Sequence, residues 1–162
     1  KFSISSEAFE KYKSLGGTYE LLIVGVSMWK DEKRESSNVH YAGRLNDINL
    51  ANAMGGAEAM LYLPFFEGFG VPIVEAMASG VPVVSTNVGG IPDIITSGNT
   101  GLLSRPGDVE AMVNNIKNIM SDESLIKKLS LEGRNFVEQT FNETTIYEDW
   151  TSIYYKIGYS IK

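Results

Sequence analysis

Short apolar runs alternate with helical patterns along most of this chain, and that alternation constrains the fold more than any other feature. Glu20–Gly25 (ELLIVG) reads as a buried strand ending in a glycine. Asn38–Ala42 (NVHYA), Ala59–Leu63 (AMLYL), Val81–Ser85 (VPVVS) and Gly101–Ser104 (GLLS) read as four more. Between them, Leu45–Gly55, Pro72–Ser79 and Pro92–Ser97 are each compatible with a short helix. Such alternation belongs to βαβ units, whose parallel strands are covered on both faces. Right-handed crossovers then give a doubly wound α/β fold, a Rossmann-like parallel sheet with helices on both faces.

The last third of the chain is predicted to be helical. Asp108–Met120 sets Val109, Met112, Val113, Ile116, Ile119 and Met120 at helical spacing. Asp108 is the expected N-cap, with Ala111 rather than glutamate at N3, so no capping box forms. Ser124–Gln139 and Glu143–Ile157 read as two more helices. The last carries an aromatic-rich stripe of Ile146, Trp150, Ile153 and Tyr154, expected to pack into the core. The whole, residues 1–162, fits one domain with a core that needs no staples.

Charge and composition narrow the partners. The formal net charge is −6, so the basic footprint of a nucleic-acid binder is missing. No apolar run approaches the roughly 18 residues of a membrane span, and no signal peptide is visible. The chain has no cysteine, which fits a reducing compartment; the expected location is the cytoplasm, in solution or at the inner face of a membrane.

The chemistry concentrates in Pro64–Ser85, PFFEGFGVPIVEAMASGVPVVS. This stretch follows a strand and opens a helix, and ligands of open α/β sheets sit at the carboxyl ends of strands. Gly68 and Gly70 allow a sharp turn and a close backbone approach. Pro72 suits the start of a helix. The free amides and dipole of that first turn favour an anion, for which a diphosphate is the natural occupant. Glu67 and Glu75 flank the turn. Carboxylates repel phosphate but accept hydrogen bonds from sugar hydroxyls, so both read as hydroxyl binders. Gly68-Phe69-Gly70 alone is weak, and Ile73 at the third glycine position excludes a dinucleotide fingerprint. Two glutamates could also serve a retaining glycosidase, but those usually come from separate strand ends without a phosphate-binding turn between them.

Glu67-Gly-Phe-Gly-Val-Pro-Ile-Val-Glu75 resembles the E-x7-E motif of family-4 retaining glycosyltransferases, whose GT-B fold pairs two Rossmann-like domains. The likeness continues through Ala76-Met77-Ala78-Ser79-Gly80-Val81-Pro82-Val83-Val84, Gly89-Gly90-Ile91-Pro92-Asp93 and Gly101-Leu102-Leu103. Leu22–Gly25 and Val39–Arg44 match the preceding strands, and Phe141-Asn142 and Trp150 the closing helix. Nearly the whole chain is covered.

The resemblance implies roles. Glu67, as the catalytic residue, would contact hydroxyls of the donor sugar, and Glu75 the ribose. Gly68, Phe69, Gly70 and Val71 would face the sugar and diphosphate, with Lys1 as the lysine that holds the diphosphate. Gly43, Arg44 and Leu45 would lie beside the base, and Ser27 would border the same crevice. The substrate would be a nucleoside-diphospho-sugar, with no other cofactor. The acceptor, a glycan or lipid, would be held by an N-terminal domain outside these residues. No Asp-x-Asp motif is present and the family does not require one, so transfer is expected to be metal-independent. Retention would involve attack from the leaving-group face, and neither glutamate need be a covalent nucleophile. His40 reads as structural.

Departures from the family pattern are Asp93 in place of glutamate, Phe65 near a usual serine or threonine, and no arginine for the diphosphate; the family's first strand, central in the sheet, is expected ahead of Lys1. A non-catalytic nucleotide-sugar binding module, an epimerase or a phosphorylase of similar architecture are the competing readings, although no lysine site for a phosphorylase cofactor is found.

Overall fold

A computed structural model describes residues 4–25 and 36–158. The elements are α1 (Ile4–Ser14), β1 (Leu21–Val24), β2 (Val39–Gly43), α2 (Asp47–Gly55), β3 (Met60–Tyr62), α3 (Val71–Ala78), β4 (Val83–Thr86), α4 (Ile91–Ile94), β5 (Leu102–Ser104), α5 (Val109–Ser121), α6 (Glu123–Thr140) and α7 (Glu143–Lys156). Every named strand pair is parallel, as the alternation requires. Lys1 and Ser27, expected at the diphosphate and the crevice, lie outside the described residues.

The strands form two sheets, β1-β2 and β3-β4-β5. Met60 pairs with Val83 and Val84 with Leu102, which makes β4 the central strand of the second sheet. All four of its residues are buried. Because side chains alternate across a strand, Val83 and Val84 enter different cores. Val84 packs with Ala8, Phe9 and Tyr12 of α1 and Met112, Val113 and Ile116 of α5. Val83 packs with Ile73, Ala76 and Met77 of α3, Ile91 and Ile94 of α4, and Val137 of α6. Helices therefore cover both faces of the sheet, and each fully buried aliphatic contributes about 1.5–3 kcal/mol.

Between β1 and β3 the sheet is open. A cavity of about 560 Å³ is lined by Leu21–Val24, Met60–Tyr62, and residues of α2 and α3 including Pro72 and Glu75. Leu22 and Val24 are consequently half exposed, although their strand is apolar on both faces.

Helices α2 and α5 begin at side-chain caps. Asn46 accepts from the Asn49 amide at 2.9 Å and Asp108 from the Ala111 amide at 3.0 Å, each satisfying an orphan donor of the first turn. The helix expected over Pro92–Ser97 is shorter, because Thr100 Oγ1 accepts from Thr96 N at 2.9 Å and turns the chain. Helix α1 has no counterpart in the sequence reading. Its Ala8, Phe9 and Tyr12 are buried, yet they are scattered among charged residues. The stripe on α7 corrects an expectation. No residue of that helix is buried, and Trp150 is 57% exposed. Helix α7 reaches the body of the domain through α6, so its apolar face points away from the core.

Candidate functional site

The stretch from Tyr62 to Val71 is held to the neighbouring strand by two hydroxyls. Ser85 Oγ donates to the Tyr62 carbonyl at 2.6 Å, and Thr86 Oγ1 donates to the Pro64 carbonyl at 2.5 Å. Both side chains are fully buried at the carboxyl end of β4, and both are satisfied, as buried polar groups must be. They fix the direction in which the chain leaves β3. Phe65 and Phe66 then turn to solvent, and Glu67 folds back over the strand end.

The Glu67 carboxylate is held from two sides. Its Oε1 accepts from the Gly68 amide at 2.9 Å and the Phe69 amide at 3.3 Å. Its Oε2 accepts from the Tyr62 hydroxyl. The Tyr62 hydrogen bond, larger than the opposing effect of burial and joined by those from the Phe69, Gly68 and Gly70 amides, keeps the carboxyl below the usual glutamate range. Conversely, burial, reinforced by the bond to Glu67 and its charge, pushes the Tyr62 hydroxyl up to about 12. Glu67 is thus an anion at neutral pH and Tyr62 a neutral donor.

Gly70 caps α3 with φ 100°, in the left-handed region that glycine tolerates. Pro72 follows within the first turn. Val71 opens the helix, where an amide has no intrahelical acceptor. The Phe69 amide donates to Glu67 Oε1 at 3.3 Å. Its ring stands edge-on against Phe141 with centroids 5.5 Å apart, which ties the loop to the end of α6.

A second glycine pair supports the first. The Gly90 amide donates to the Gly68 carbonyl at 3.1 Å. A Cβ on Gly90 would stand 2.6 Å from that same oxygen. The Gly-Gly-Ile-Pro-Asp segment therefore lies directly against the loop that carries Glu67. Sequence reasoning matched this segment without giving it a task; adjacent glycines before a helix were the available signal. Tyr62 was missed altogether.

Glu75 is exposed on α3 and lines the cavity beside β1 together with Pro72. Gly43, Arg44 and Leu45 sit at the carboxyl end of β2, in the other sheet, and do not line that cavity. Gly43 has φ 67° and follows a bulge in the β1–β2 register; its carbonyl accepts from the Gly25 amide at 2.8 Å. Arg44 is exposed. His40, read as structural, is an exposed strand residue 2.9 Å from Glu20. Among the described residues no group of three His, Cys, Asp or Glu could hold a metal ion, and no helix is long and apolar enough to cross a membrane.

Residues 2–136 match the family model of group 1 glycosyl transferases. The chain belongs to that family. It is 35% identical over 124 residues to N-acetyl-alpha-D-glucosaminyl L-malate synthase of Bacillus anthracis, a match that covers 74% of this chain and 32% of that protein. It is 36% identical over 115 residues to the O-antigen chain mannosyltransferase B of Escherichia coli, covering 65% and 29% respectively. The chain therefore spans about a third of the length of the curated relatives it matches. Among solved structures, sucrose-phosphate synthase from Thermosynechococcus elongatus superimposes with a TM-score of 0.76 at 26% identity, over 95% of this chain and 42% of that one. Anabaena HepE in complex with UDP gives 0.80 at 23% identity, over 94% and 44%, a likeness of fold. This group 1 domain is one Rossmann-like half of a GT-B architecture, as its parallel sheets and covering helices show.

Proposed function

We propose that this domain binds the nucleoside-diphospho-sugar donor of a retaining glycosyltransferase. The observation that carries the reading is the Glu67 carboxylate, fixed and ionised at the turn into α3. An anchored anion at that place repels phosphate and accepts hydroxyls, so it suits the sugar. The start of α3, a few residues on, offers the opposite field, and the diphosphate belongs there. Glu75, further along the same helix, takes the ribose, and Gly43, Arg44 and Leu45 the base. The UDP in the HepE complex and the sugar-transferring relatives support a nucleotide sugar as the ligand.

During transfer, negative charge grows on the leaving diphosphate. The preoriented Val71 amide and the helix dipole stabilise that charge without reorganising. The acceptor hydroxyl, from a glycan or a lipid, attacks on the face from which the diphosphate departs, and configuration is retained. The acceptor is held by a second Rossmann-like domain across the cleft. Glu67 orients the sugar through its hydroxyls and forms no covalent bond.

Calorimetric titration of this chain with UDP-, GDP- and ADP-sugars tests the donor reading. Binding of at least one is expected, and failure of all three classes would sink it. Product analysis with the intact enzyme separates retention from inversion, and transfer from epimerisation.

A further inference from the structure

Tyr62 stands outside every motif by which the site was recognised, yet among the described residues it makes the one side-chain hydrogen bond to the Glu67 carboxylate. A carboxylate offers about four acceptor positions, two on each oxygen. Positions on Oε1 are taken by the loop's own amides, from Gly68 and Phe69, and the Gly70 amide bonds the carboxylate as well. One on Oε2 is taken by the Tyr62 hydroxyl.

The geometry points to Tyr62 as a positioning residue that pins Glu67 Oε2 in place for the donor sugar. The inference rests on the reading of Glu67 as the donor-sugar contact and names what holds that contact in place.

Packing alone would not require a hydroxyl here. Tyr62 is half-buried at the end of β3, and a phenylalanine would fill the same space without a polar group to desolvate. The hydroxyl is kept in an environment that pushes its pKa up to about 12, so it remains a donor throughout the physiological range. Its backbone cannot follow a wandering partner. The Tyr62 carbonyl is bonded to Ser85 Oγ at 2.6 Å, and its residue is paired with Ser85 in the ladder. Glu67, by contrast, sits in a loop whose neighbours Phe65 and Phe66 are 66% and 90% exposed. A strand-borne donor thus fixes a loop-borne carboxylate, which is how a flexible side chain is preorganised for one ligand atom.

The test uses Tyr62→Phe and Glu67→Gln beside the unaltered chain. The first readout needs no ligand: the Glu67 carboxyl is followed by carbon NMR against pH. In the unaltered chain Glu67 is expected to titrate below the ordinary glutamate range, and in Tyr62→Phe to move up towards it. A merely structural tyrosine would not move this titration. The second readout compares the tightest-binding member of the UDP-, GDP- and ADP-sugar panel with its own nucleoside diphosphate. Tyr62→Phe is expected to weaken the nucleotide sugar roughly tenfold, as for a lost hydrogen bond to a charged group, and to leave the nucleoside diphosphate unchanged. Three outcomes are decisive. Loss of sugar affinity in both variants supports the assignment. Loss in Glu67→Gln alone overturns the role of Tyr62 and leaves the donor-sugar reading standing. No loss in either, or no binding by the panel, defeats the donor-sugar reading and the assignment with it. Should Tyr62→Phe fail to fold, titration of Glu67 in the ordinary glutamate range in the unaltered chain overturns the assignment without it, and titration below that range there supports it.

Discussion

The main-chain oxygen of Glu67 occupies the place where a side chain on Gly89 would begin: a Cβ built there would stand 1.7 Å from it. Gly89 also has φ 53°, in the left-handed region. Two requirements for glycine therefore coincide at one residue, and the steric one arises from the loop that carries the carboxylate. Gly89→Ala is expected to cost about 2–5 kcal/mol, from left-handed strain plus overpacking. Gly98→Ala is the control, because Gly98 has φ 81° but open space around its Cα. It should cost only the strain, about 1–2 kcal/mol. Denaturant melts of the two variants check this, and equal losses would show that the loop moves aside freely.

Stability at alkaline pH should report on Tyr62. Its pKa is raised in the folded state from 10.0 to about 12, so the folded protein holds a proton that the unfolded chain releases. The stabilisation is complete below about pH 10 and is lost as pH rises towards 12. With the hydroxyl only half-buried, the full linkage is discounted for solvent screening to about 1–2 kcal/mol. Tyr62→Phe has no such proton, so the difference in unfolding free energy between the two proteins should shrink across that window. A constant difference from pH 9 to 12 would contradict the raised pKa.

Glu75 tests the other end of the ligand. Glu75→Ala should weaken binding of the nucleoside diphosphate itself by about 1–3 kcal/mol, the range for a lost bond to a charged acceptor. Glu75 is exposed, so the fold should be unaffected. Unchanged calorimetric affinity would place the ribose elsewhere.

The fold was legible because the strands are apolar on two faces. Val83 and Val84 enter different cores, and adjacent aliphatics of that kind signal a strand covered on both sides. Helix α1 escaped because three buried residues among lysines and glutamates make a thin stripe. The stripe on α7 misled for the opposite reason. A periodic pattern tells which face of a helix is apolar, but says nothing of what lies against it. Likewise the runs at β1 and β3 announce burial without naming their neighbours, so the open seam between them was visible only in three dimensions. At the site, Glu67 was readable from Glu-Gly-Phe-Gly, since glycines announce a backbone turn. Tyr62 was not, because a strand tyrosine looks like any other until the loop five residues on folds back to meet it.

Metal dependence follows from how the leaving charge is handled. If the amides at the start of α3 stabilise the diphosphate, the intact enzyme should keep most of its activity in excess chelator. Loss of activity restored by Mg²⁺ or Mn²⁺ would mean that a cation shares the task.

The 162-residue chain is expected to bind donor without transferring it. On the proposed reading, Glu67 and the start of α3 provide for one reactant only. Transfer also needs an acceptor held in attack geometry, and that positioning is worth roughly 7–11 kcal/mol of barrier. A cleft with one wall leaves the diphosphate in water, where a helix dipole acts through a high dielectric and stabilises the departing charge weakly. Binding should therefore survive in reduced form, because it depends on local amides and carboxylates, whereas turnover should vanish, because it depends on both walls. A radiolabelled-donor assay, run on this chain beside the longer polypeptide with the same acceptors, distinguishes the two effects. Comparable turnover would put the acceptor site among these residues, and Phe65 and Phe66, exposed beside Glu67, would be the first place to look for it.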